Sequence, residues 1–337
     1  MLPVSPNYQV IATLGPATLG PEAPDLPREM LRSGATAFRL NTSHISLEDL
    51  LPLLNHLRRD FPETPITLDL QGSKWRLGAF IPFVLSEGEE VVFFHGTGDG
   101  AGESAGTGLP VPHGDFFSAA SAGTGSGEIG EIRLNDGRIV LELLSASGRE
   151  MRARVRAGGE ISPRKGLTLP GSPHRTETLG DKDTRILAET RGMERVKYAF
   201  SYVRDGVEMR TFRSLAGPGA AVIAKIERAE ALAEVDAIAA VADELWLCRG
   251  DLGAELGLPE MARRTHGFTR QVREYPVPSL LAGQVLEHMT GNPVPTRSEM
   301  CHLYDALQAG YAGFVLSDET ALGKYPVESC RHAASLR

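Results

Sequence analysis

The sequence has 337 residues, of which 42% are hydrophobic and 23% charged, and its formal net charge is -8. These values are ordinary for a soluble globular protein, and the negative charge disfavours nonspecific binding to nucleic acid. No apolar run reaches the roughly 18 residues that span a membrane, and the N-terminus lacks the pattern of a signal peptide. The cysteines Cys248, Cys301 and Cys330 lie far apart and indicate reduced thiols, so we expect a cytoplasmic protein.

The first 77 residues alternate short apolar strands with helices. The predicted elements are a strand at 9–13, a helix at 27–33, a strand at 37–40, a helix at 47–59 and a strand at 66–70. Ser46 is the predicted N-cap of the second helix. Each strand ends in polar residues, and the alternation predicts a parallel sheet covered by helices.

Residues 78–163 follow a different pattern, with short strands and no predicted helix. The predicted strands are 91–94, 128–134, 138–144 and 151–155. Asn135-Asp-Gly137 has the composition of a hairpin turn. We predict that residues 78–163 form a small β-barrel domain inserted into the first domain. Such a domain can act as a lid over a site.

After Pro170-Gly171 the alternation of strands and helices returns. The predicted strands are 198–203, 221–226, 244–248, 278–282 and 314–317. The predicted helices are 181–191, 206–215, 228–241, 261–274, a short one after 284, 302–309 and one that begins near 326. Three strands before the insertion and five after it predict an α/β fold, a (β/α)8 TIM barrel formed by residues 1–77 and 164–337.

The strand at 221–226 places Lys225 and Glu227 on one face, because alternate residues of a strand point the same way. The next strand leads into Arg249-Gly-Asp251. Carboxylates at the ends of successive strands suit a hard divalent cation, and a lysine beside them suits an anionic substrate. The alternative is a pair of solvated strand ends with ordinary salt bridges.

Short motifs recur in a fixed order along the chain. They are Ile11-Ala-Thr-Leu-Gly-Pro16, Arg39-Leu-Asn-Thr-Ser-His44, Leu68-Asp-Leu-Gln-Gly-Ser-Lys-Trp-Arg76, Asn135-Asp-Gly137, Lys165-Gly-Leu-Thr-Leu-Pro-Gly171, Ala224-Lys-Ile-Glu227, Arg249-Gly-Asp-Leu-Gly253, Pro295-Thr-Arg297 and Leu316-Ser-Asp-Glu-Thr-Ala321. As an ordered set they resemble the pyruvate kinase family across nearly the whole chain. The resemblance implies phosphoryl transfer from phosphoenolpyruvate to ADP, giving pyruvate and ATP. The family also carries a C-terminal domain, which we expect to be absent because the sequence stops at Arg337.

The resemblance implies catalytic and metal-binding roles for five residues. Lys225 matches the lysine that stabilises the phosphoryl group in transfer. Arg39 and Arg76 match residues that hold phosphates. Glu227 and Asp251 match the protein ligands of a divalent ion, Mg²⁺ or Mn²⁺.

Substrate and nucleotide contacts are implied in the same way. The substrate-binding set is Arg249, Gly250 and Asp251, whose backbone receives the substrate carboxylate, with Gln284 and Lys225. The residues matched to the nucleotide phosphates are Arg39, Asn41, His44, Arg76 and Lys165. Glycine at position 250 lets the main chain approach the ligand closely.

A monovalent-ion site is expected to survive only in part. Asn41, Ser43, Asp69 and the carbonyl of Leu70 match the potassium ligands of the family. Lys74, however, stands where potassium-dependent members have glutamate. Members with lysine at this position are similar to this chain and generally do not need potassium. We expect its ammonium to replace the charge of the ion, so that potassium is not required. The alternative is that Lys74 is merely a surface residue.

Several positions depart from the family pattern, and Gly283 is the most important. It replaces a threonine that is implicated in proton delivery to the enolate. The other departures are Gln71 for lysine, Asp318 for glycine, and His302 and Asp305 for aspartate and asparagine.

These departures leave three functions open: a working kinase, a protein that binds phosphoenolpyruvate without turnover as a sensor or regulator, or another enolate-forming enzyme of the same barrel superfamily. The expected partners are phosphoenolpyruvate or pyruvate and ADP or ATP. We expect no nucleic-acid or membrane partner, and a homodimer formed through barrel contacts.

Overall fold

The computed structural model describes residues 7–20, 25–98, 108–126, 130–172 and 179–337. The chain divides into two compact units. The first, the barrel unit, comprises Met1–Gly72, Leu179–Arg249 and Ala262–Arg337, and the second unit comprises Ser73–Thr178 and Gly250–Met261. Within the described ranges, no helix has the length and apolar character needed to cross a bilayer.

The barrel unit begins with the predicted alternation. Its first elements are β1 (Gln9–Leu14), α1 (Leu26–Arg32), β2 (Ala37–Asn41), α2 (Leu47–Asp60) and β3 (Ile66–Leu70). Ser46 caps α2 as predicted, because its side chain accepts a hydrogen bond from the backbone N–H of Asp49.

The longer stretch of the second unit, 73–178, contains nine short strands and one helix among its described residues. They are β4 (Trp75–Arg76), β5 (Phe83–Leu85), β6 (Glu90–His95), β7 (Gly108–Val111), α3 (Gly114–Ser126), β8 (Glu131–Leu134), β9 (Ile139–Ala146), β10 (Glu150–Ala157), β11 (Gly159–Ile161) and β12 (Gly166–Thr168). Seven strands form one sheet in the order β4-β12-β8-β9-β10-β6-β7, and β11 pairs with β5. The prediction of a β domain besides the barrel is confirmed.

Helix α3 contradicts the expectation that residues 78–163 contain no helix. Its sequence is rich in glycine, alanine and serine, which is typical of a loop. Phe116 and Phe117 of this helix are nevertheless fully buried. The Phe116 ring lies 5.3 Å from that of Trp75 and 6.4 Å from that of Phe93. Packing of the two phenylalanines against the sheet therefore outweighs the low helix propensity of the segment.

The rest of the chain completes the barrel unit, apart from the segment at 250–261. The elements are α4 (Asp181–Thr190), β13 (Val196–Phe200), α5 (Gly206–Ala216), β14 (Ala221–Ile226), α6 (Ala229–Ala233), α7 (Val235–Ala239), β15 (Glu244–Cys248), α8 (Arg249–Leu256), α9 (Leu258–Gln271), β16 (Ser279–Ala282), a 3-10 turn (Glu287–Thr290), α10 (Arg297–Ala309), β17 (Gly313–Leu316), α11 (Asp318–Ala321) and α12 (Pro326–Ala334). The helix predicted at 228–241 is interrupted, since α6 and α7 are separate helices. Helices α8 and α11 were not predicted.

Eight parallel strands close the barrel in the order β1-β17-β16-β15-β14-β13-β3-β2. The predicted (β/α)8 barrel is therefore confirmed. Gly313 is required where the last strand meets the first. Its φ is +149°, and an added Cβ would lie 2.1 Å from the carbonyl oxygen of Gln9.

Candidate active site

Four charged side chains of the barrel unit form a continuous series of alternating charge. Arg39 donates from Nε and Nη2 to Asp69 Oδ2, at 2.7 and 2.6 Å. Lys225 Nζ lies 3.1 Å from Asp69 Oδ1 and 2.9 Å from Glu227 Oε1. None of the four side chains is more than 11% exposed. The two cations and two carboxylates neutralise one another, which is how buried charges are tolerated.

The mutual contacts shift the pKa values of Asp69 and Lys225 towards their charged forms. Burial alone would raise the pKa of the Asp69 carboxyl, but the nearby Lys225 and Arg39 outweigh it and lower this pKa. Burial would likewise lower the pKa of Lys225, whereas the Asp69 and Glu227 carboxylates raise it. A preorganised cation of this kind can stabilise charge on an anionic substrate.

Ser201, which lies outside the motifs of the sequence, joins this series directly after β13. Lys225 Nζ donates to Ser201 Oγ at 2.9 Å. The hydroxyl lies 3.1 Å from Asp69 Oδ1 and 2.7 Å from the carbonyl oxygen of Leu70. The strand was predicted to continue to residue 203, so Ser201 was placed inside it rather than at its end.

Tyr202 orients the carboxylate of Glu227. Its backbone N–H donates to Glu227 Oε2 at 2.9 Å. Tyr202 has a φ of +61°, which non-glycine residues rarely adopt. Glu227 therefore contacts Lys225 through one oxygen and a strained stretch of backbone through the other. Nothing in the sequence indicated this contact.

Three of the four predicted monovalent-ion ligands, Asn41, Asp69 and Leu70, lie on the neighbouring strands β2 and β3, and Ser43 lies in the turn after β2. Asn41 and Asp69 are paired residues of these neighbouring strands. Asn41 Oδ1 accepts a hydrogen bond from the backbone N–H of Ser43 at 3.1 Å. The carbonyl of Leu70 accepts one from Ser201, as described above. His44 follows in the same turn, where its N–H donates to the carbonyl of Asn41 at 3.2 Å. The ligand oxygens of Asn41, Asp69 and Leu70 thus already have hydrogen-bond partners.

The backbone that follows β3 is fixed by Asp183, another residue outside the motifs of the sequence. Its carboxylate accepts hydrogen bonds from the N–H groups of Gln71 and Gly72, at 3.0 and 2.9 Å. Burial raises the pKa of Asp183. Gly72 has a φ of +64°, and an added Cβ would lie 2.5 Å from the carbonyl oxygen of Ser201. This position therefore requires glycine.

The guanidinium of Arg249 is hydrogen-bonded to backbone carbonyls of the segment after β16. Nε and Nη2 lie 3.1 and 2.7 Å from the carbonyl oxygen of Gly283, and Nη2 donates to that of Gln284 at 2.8 Å. Nη1 lies 2.8 Å from His302 Nε2. Gly283 and His302, two departures from the family pattern, therefore both contact Arg249. The predicted role of Arg249 in substrate binding would involve its backbone.

Glu319 is a fully buried carboxyl at the start of α11. Its oxygens accept hydrogen bonds from the N–H groups of Leu286 and Ser317, at 3.0 and 2.8 Å. Burial is the largest influence on it and raises its pKa to about 7. Glu319 therefore connects the segment after β16 to the one after β17.

In the second unit, Lys74 is buried between two carboxylates. Its Nζ contacts Asp251 Oδ1 and lies 3.3 Å from Asp136 Oδ1. The Lys74 side chain is 8% exposed, so it is not a surface residue. Burial alone would lower the pKa of Lys74, but Asp251 and Asp136 raise it. Gly166 leaves the necessary space, because a Cβ there would lie 2.0 Å from Lys74 Cε.

Asp136 owes its position to the turn between β8 and β9. Asn135, Asp136 and Gly137 have φ values of +51°, +55° and +82°. Leu134 and Ile139 pair across the two strands, so the predicted hairpin turn is confirmed. Positive φ values explain why asparagine, aspartate and glycine occupy these positions.

Two predicted phosphate-binding residues are neighbours in the second unit. Arg76 on β4 pairs with Gly166 on β12, the residue after Lys165. Arg76 Nη1 donates to the carbonyl of Arg164 at 3.1 Å. Gly250 and Asp251, which follow the predicted strand at 244–248, lie in the first turn of α8.

The two predicted divalent-ion ligands each hold an ammonium group. Lys225 forms an ion pair with Glu227 in the barrel unit, and Lys74 forms one with Asp251 in the second unit. Each carboxylate thus already pairs with a cation, and carboxylate oxygens are donors that suit a hard cation. The described residues contain no cluster of three or more histidine, cysteine, aspartate or glutamate side chains that could hold a metal ion. Mg²⁺ sites commonly use only one or two carboxylates, with substrate oxygens and water.

Comparison with known proteins places the chain in one family. Residues 5–330 match the family described as pyruvate kinase, barrel domain. A pyruvate kinase of Agrobacterium vitis is 33% identical over 327 residues, covering 95% of this chain and 66% of the relative. The pyruvate kinase of Methylorubrum extorquens is 32% identical over 331 residues, covering 96% and 66%. Pyruvate kinase II of Salmonella typhimurium is 31% identical over 334 residues, covering 95% and 67%. The chain thus spans about two thirds of the length of these relatives.

Proposed function

The chain belongs to the pyruvate kinase family, and we therefore propose that it transfers the phosphoryl group of phosphoenolpyruvate to ADP, giving pyruvate and ATP. The observation that carries this proposal is the buried Lys225, held between Asp69, Glu227 and Ser201. Phosphoryl transfer depends mainly on positioning and on stabilising negative charge. A cation fixed in this way supplies that stabilisation without reorganising during the reaction.

The arginines are proposed to hold phosphates. A guanidinium has five N–H donors, and the contacts of Arg39 with Asp69 and Thr13 use three of them. The remaining donors are available to a phosphate. The proposed nucleotide-phosphate contacts are Arg39, Asn41, His44, Arg76 and Lys165. The pairing of β4 with β12, which makes Arg76 and Lys165 neighbours, supports this assignment.

The substrate carboxylate is proposed to bind the backbone at Arg249, Gly250 and Asp251. These residues form the first turn of α8, where backbone N–H groups are free of intrahelical partners and favour an anion. Gln284 is assigned to the same substrate. Its backbone is held by Arg249, which supports a fixed position.

Glu227 and Asp251 are proposed to hold the divalent ion, Mg²⁺ or Mn²⁺. A bound ion of this kind supplies charge stabilisation to the phosphoryl group and to the enolate. Tyr202 fixes Glu227 through its N–H, so the ligand is already oriented.

Potassium independence is proposed as well. Asp69 is already neutralised by Arg39 and Lys225, and the carbonyl of Leu70 accepts a bond from Ser201. Lys74 is a buried permanent cation, as the charge-replacement argument requires. A cytoplasmic location and a homodimer through barrel contacts stay predictions.

A second function, binding of phosphoenolpyruvate without turnover, is favoured by Gly283. This residue cannot supply the hydroxyl expected for proton delivery. Its φ is +77°, a conformation that disfavours threonine. The same observation leaves room for another enolate-forming reaction on this barrel.

The deciding experiment is an assay of pyruvate formation from phosphoenolpyruvate and ADP with Mg²⁺, with and without potassium. We expect activity that does not require potassium and that is lost in Lys225→Met. Lys197→Met is the matched control, because Lys197 is also a lysine on a barrel strand but is paired with Glu244, away from the proposed site. Saturable phosphoenolpyruvate binding without pyruvate formation would favour the second function instead.

A further inference from the structure

We infer that Lys74 competes with the divalent metal ion for Asp251, so that metal binding has to displace an internal ammonium group. The inference rests on the proposed role of Asp251 as a metal ligand. It adds a function for Lys74 that is separate from the replacement of potassium. Both residues lie in the second unit.

The contact between Lys74 and Asp251 is built into this unit. Lys74 Nζ contacts Asp251 Oδ1 directly, and the lysine and aspartate side chains are 8% and 18% exposed. Gly166 admits the lysine stem, since an added Cβ would lie 2.0, 2.6 and 2.9 Å from Lys74 Cε, Nζ and Cδ. The lysine therefore reaches this carboxylate through a space that a larger residue at position 166 would fill.

Asp136 gives the displaced ammonium group another partner. Its Oδ1 is 3.3 Å from Lys74 Nζ, and its side chain is 53% exposed. When a metal ion takes Asp251, Lys74 can remain paired with Asp136, so the exchange leaves no buried charge without a counter-ion. Two carboxylates that share one lysine thus allow a cation to enter at modest cost.

Direct binding of Mn²⁺ tests this inference without substrate or turnover. Free Mn²⁺ is measured by electron paramagnetic resonance during titration of the protein in potassium-free buffer. Lys74→Met keeps the hydrocarbon stem and removes the charge, and we expect its Kd for Mn²⁺ to be on the order of tenfold lower than that of the unmodified protein. Asp136→Asn should raise the Kd, because Lys74 then loses the carboxylate that would pair with it after displacement from Asp251.

A double-mutant cycle separates competition at Asp251 from a general effect of charge. In an Asp251→Asn background, Lys74→Met should change the Kd much less than it does alone. Gly166→Ala is a second route to the same result, because it forces Lys74 away from its present position and keeps its charge. It should also lower the Kd, which keeps the inference testable if Lys74→Met fails to fold.

The opposite results would overturn the inference. They are an unchanged or higher Kd in Lys74→Met, an equal change in the Asp251→Asn background, or no Mn²⁺ binding by the unmodified protein. The pyruvate assay is independent of this outcome. A protein with pyruvate-forming activity and no Kd change in Lys74→Met would reject the competition alone. A protein without activity that shows the expected Kd changes would reject only the proposed reaction.

Discussion

Ser201 provides Lys225 with a neutral partner between two carboxylates. Its hydroxyl accepts from the ammonium at 2.9 Å and has a single proton to donate to Asp69 or to Leu70. The hydroxyl therefore fixes the direction of the ammonium group without altering its charge. Ser201 is best described as a positioning residue of the proposed reaction.

Replacing Ser201 by alanine should lower kcat for pyruvate formation about tenfold, since a hydrogen bond to a charged group contributes about 1.5–3 kcal/mol. The KM for phosphoenolpyruvate should change less, because the charge of Lys225 is retained. Ser201→Thr keeps the hydroxyl and should recover most of the loss. Equal kcat values for the alanine variant and the unmodified protein would contradict this role.

Glu319 should make the free energy of unfolding depend on pH. Its pKa in the folded protein is about 7, above the ordinary value of 4.5. Between these values the folded state binds more protons than the unfolded state, so the stabilisation present below pH 4.5 is lost as pH rises through about 7. Each pKa unit corresponds to about 1.4 kcal/mol.

Urea unfolding of the unmodified protein and of Glu319→Gln, at pH 5, 6, 7 and about 8, tests this dependence. Glutamine does not titrate, so the difference between the two free energies isolates Glu319. We expect the unmodified protein to lose stability relative to the variant as the pH rises. A difference that is constant with pH, or that changes in the other direction, would reject the raised pKa.

At the level of secondary structure, the Pro295-Thr-Arg297 motif begins α10 with a capping box. Thr296 Oγ1 accepts from the N–H of Glu299, whose carboxylate accepts from the N–H of Thr296. The other carboxylate oxygen of Glu299 accepts from the N–H of His288 at 2.9 Å, in the 3-10 turn that follows β16. Part of this motif therefore has a structural purpose.

Thr296→Ala should lower the free energy of unfolding by about 1 kcal/mol, because a donor at the start of α10 loses its acceptor. Urea denaturation measures the change. Thr211→Ala is the control, since Thr211 lies within α5 and its hydroxyl donates to the carbonyl of Val207, four residues before it. Alanine is a better helix former there, so stability should change little or rise. Equal losses in the two variants would argue against the cap.

The elements that the sequence predicted best are those with an uninterrupted apolar run. The strands at 66–70, 221–226 and 244–248 have the predicted bounds. Helix α8 was missed because Arg249-Gly-Asp251 and Gly253 favour a turn when propensity alone is considered. Tertiary contacts determine the secondary structure of such segments, and these contacts cannot be predicted from a single sequence.

In the candidate site, too, some residues could be predicted from the sequence and others could not. Charged residues that follow apolar strands, such as Lys225 and Glu227, could be located because barrel strands present their carboxyl ends together. The contacts of Tyr202 and Gly72 could not, since their positive φ values depend on the neighbouring backbone. Ser201 was missed because the end of β13 was placed three residues too late.

For the molecule as a whole, the two units have separate cores, and each contains one buried tryptophan, Trp75 in the second unit and Trp246 in the barrel unit. Phe116→Ala should destabilise the second unit by about 3–5 kcal/mol, because it leaves a cavity beside Trp75. We expect the unfolding transition reported by Trp75 fluorescence to occur at a lower urea concentration than the one reported by Trp246. Proteins with several domains commonly depart from two-state unfolding in this way.

Single-tryptophan variants, Trp246→Phe and Trp75→Phe, separate the two signals. Phe212→Ala is the matched control in the barrel unit, where Phe212 stacks on Phe200 with centroids 4.4 Å apart. It should move the Trp246 transition instead. Transitions that always coincide would mean that the two units unfold as one.

The second unit is assembled from two separate stretches of chain, 73–178 and 250–261. Arg133 Nη1 donates to the carbonyl of Ala254 at 2.9 Å, and Lys74 contacts Asp251, so the shorter stretch is part of the unit's structure. A transplant of the longer stretch alone into a homologue would therefore separate residues that fit one another. Recombination of this unit, in evolution or in the laboratory, should succeed when both stretches come from the same parent, and chimaeras that mix parents should be found mainly among the insoluble products.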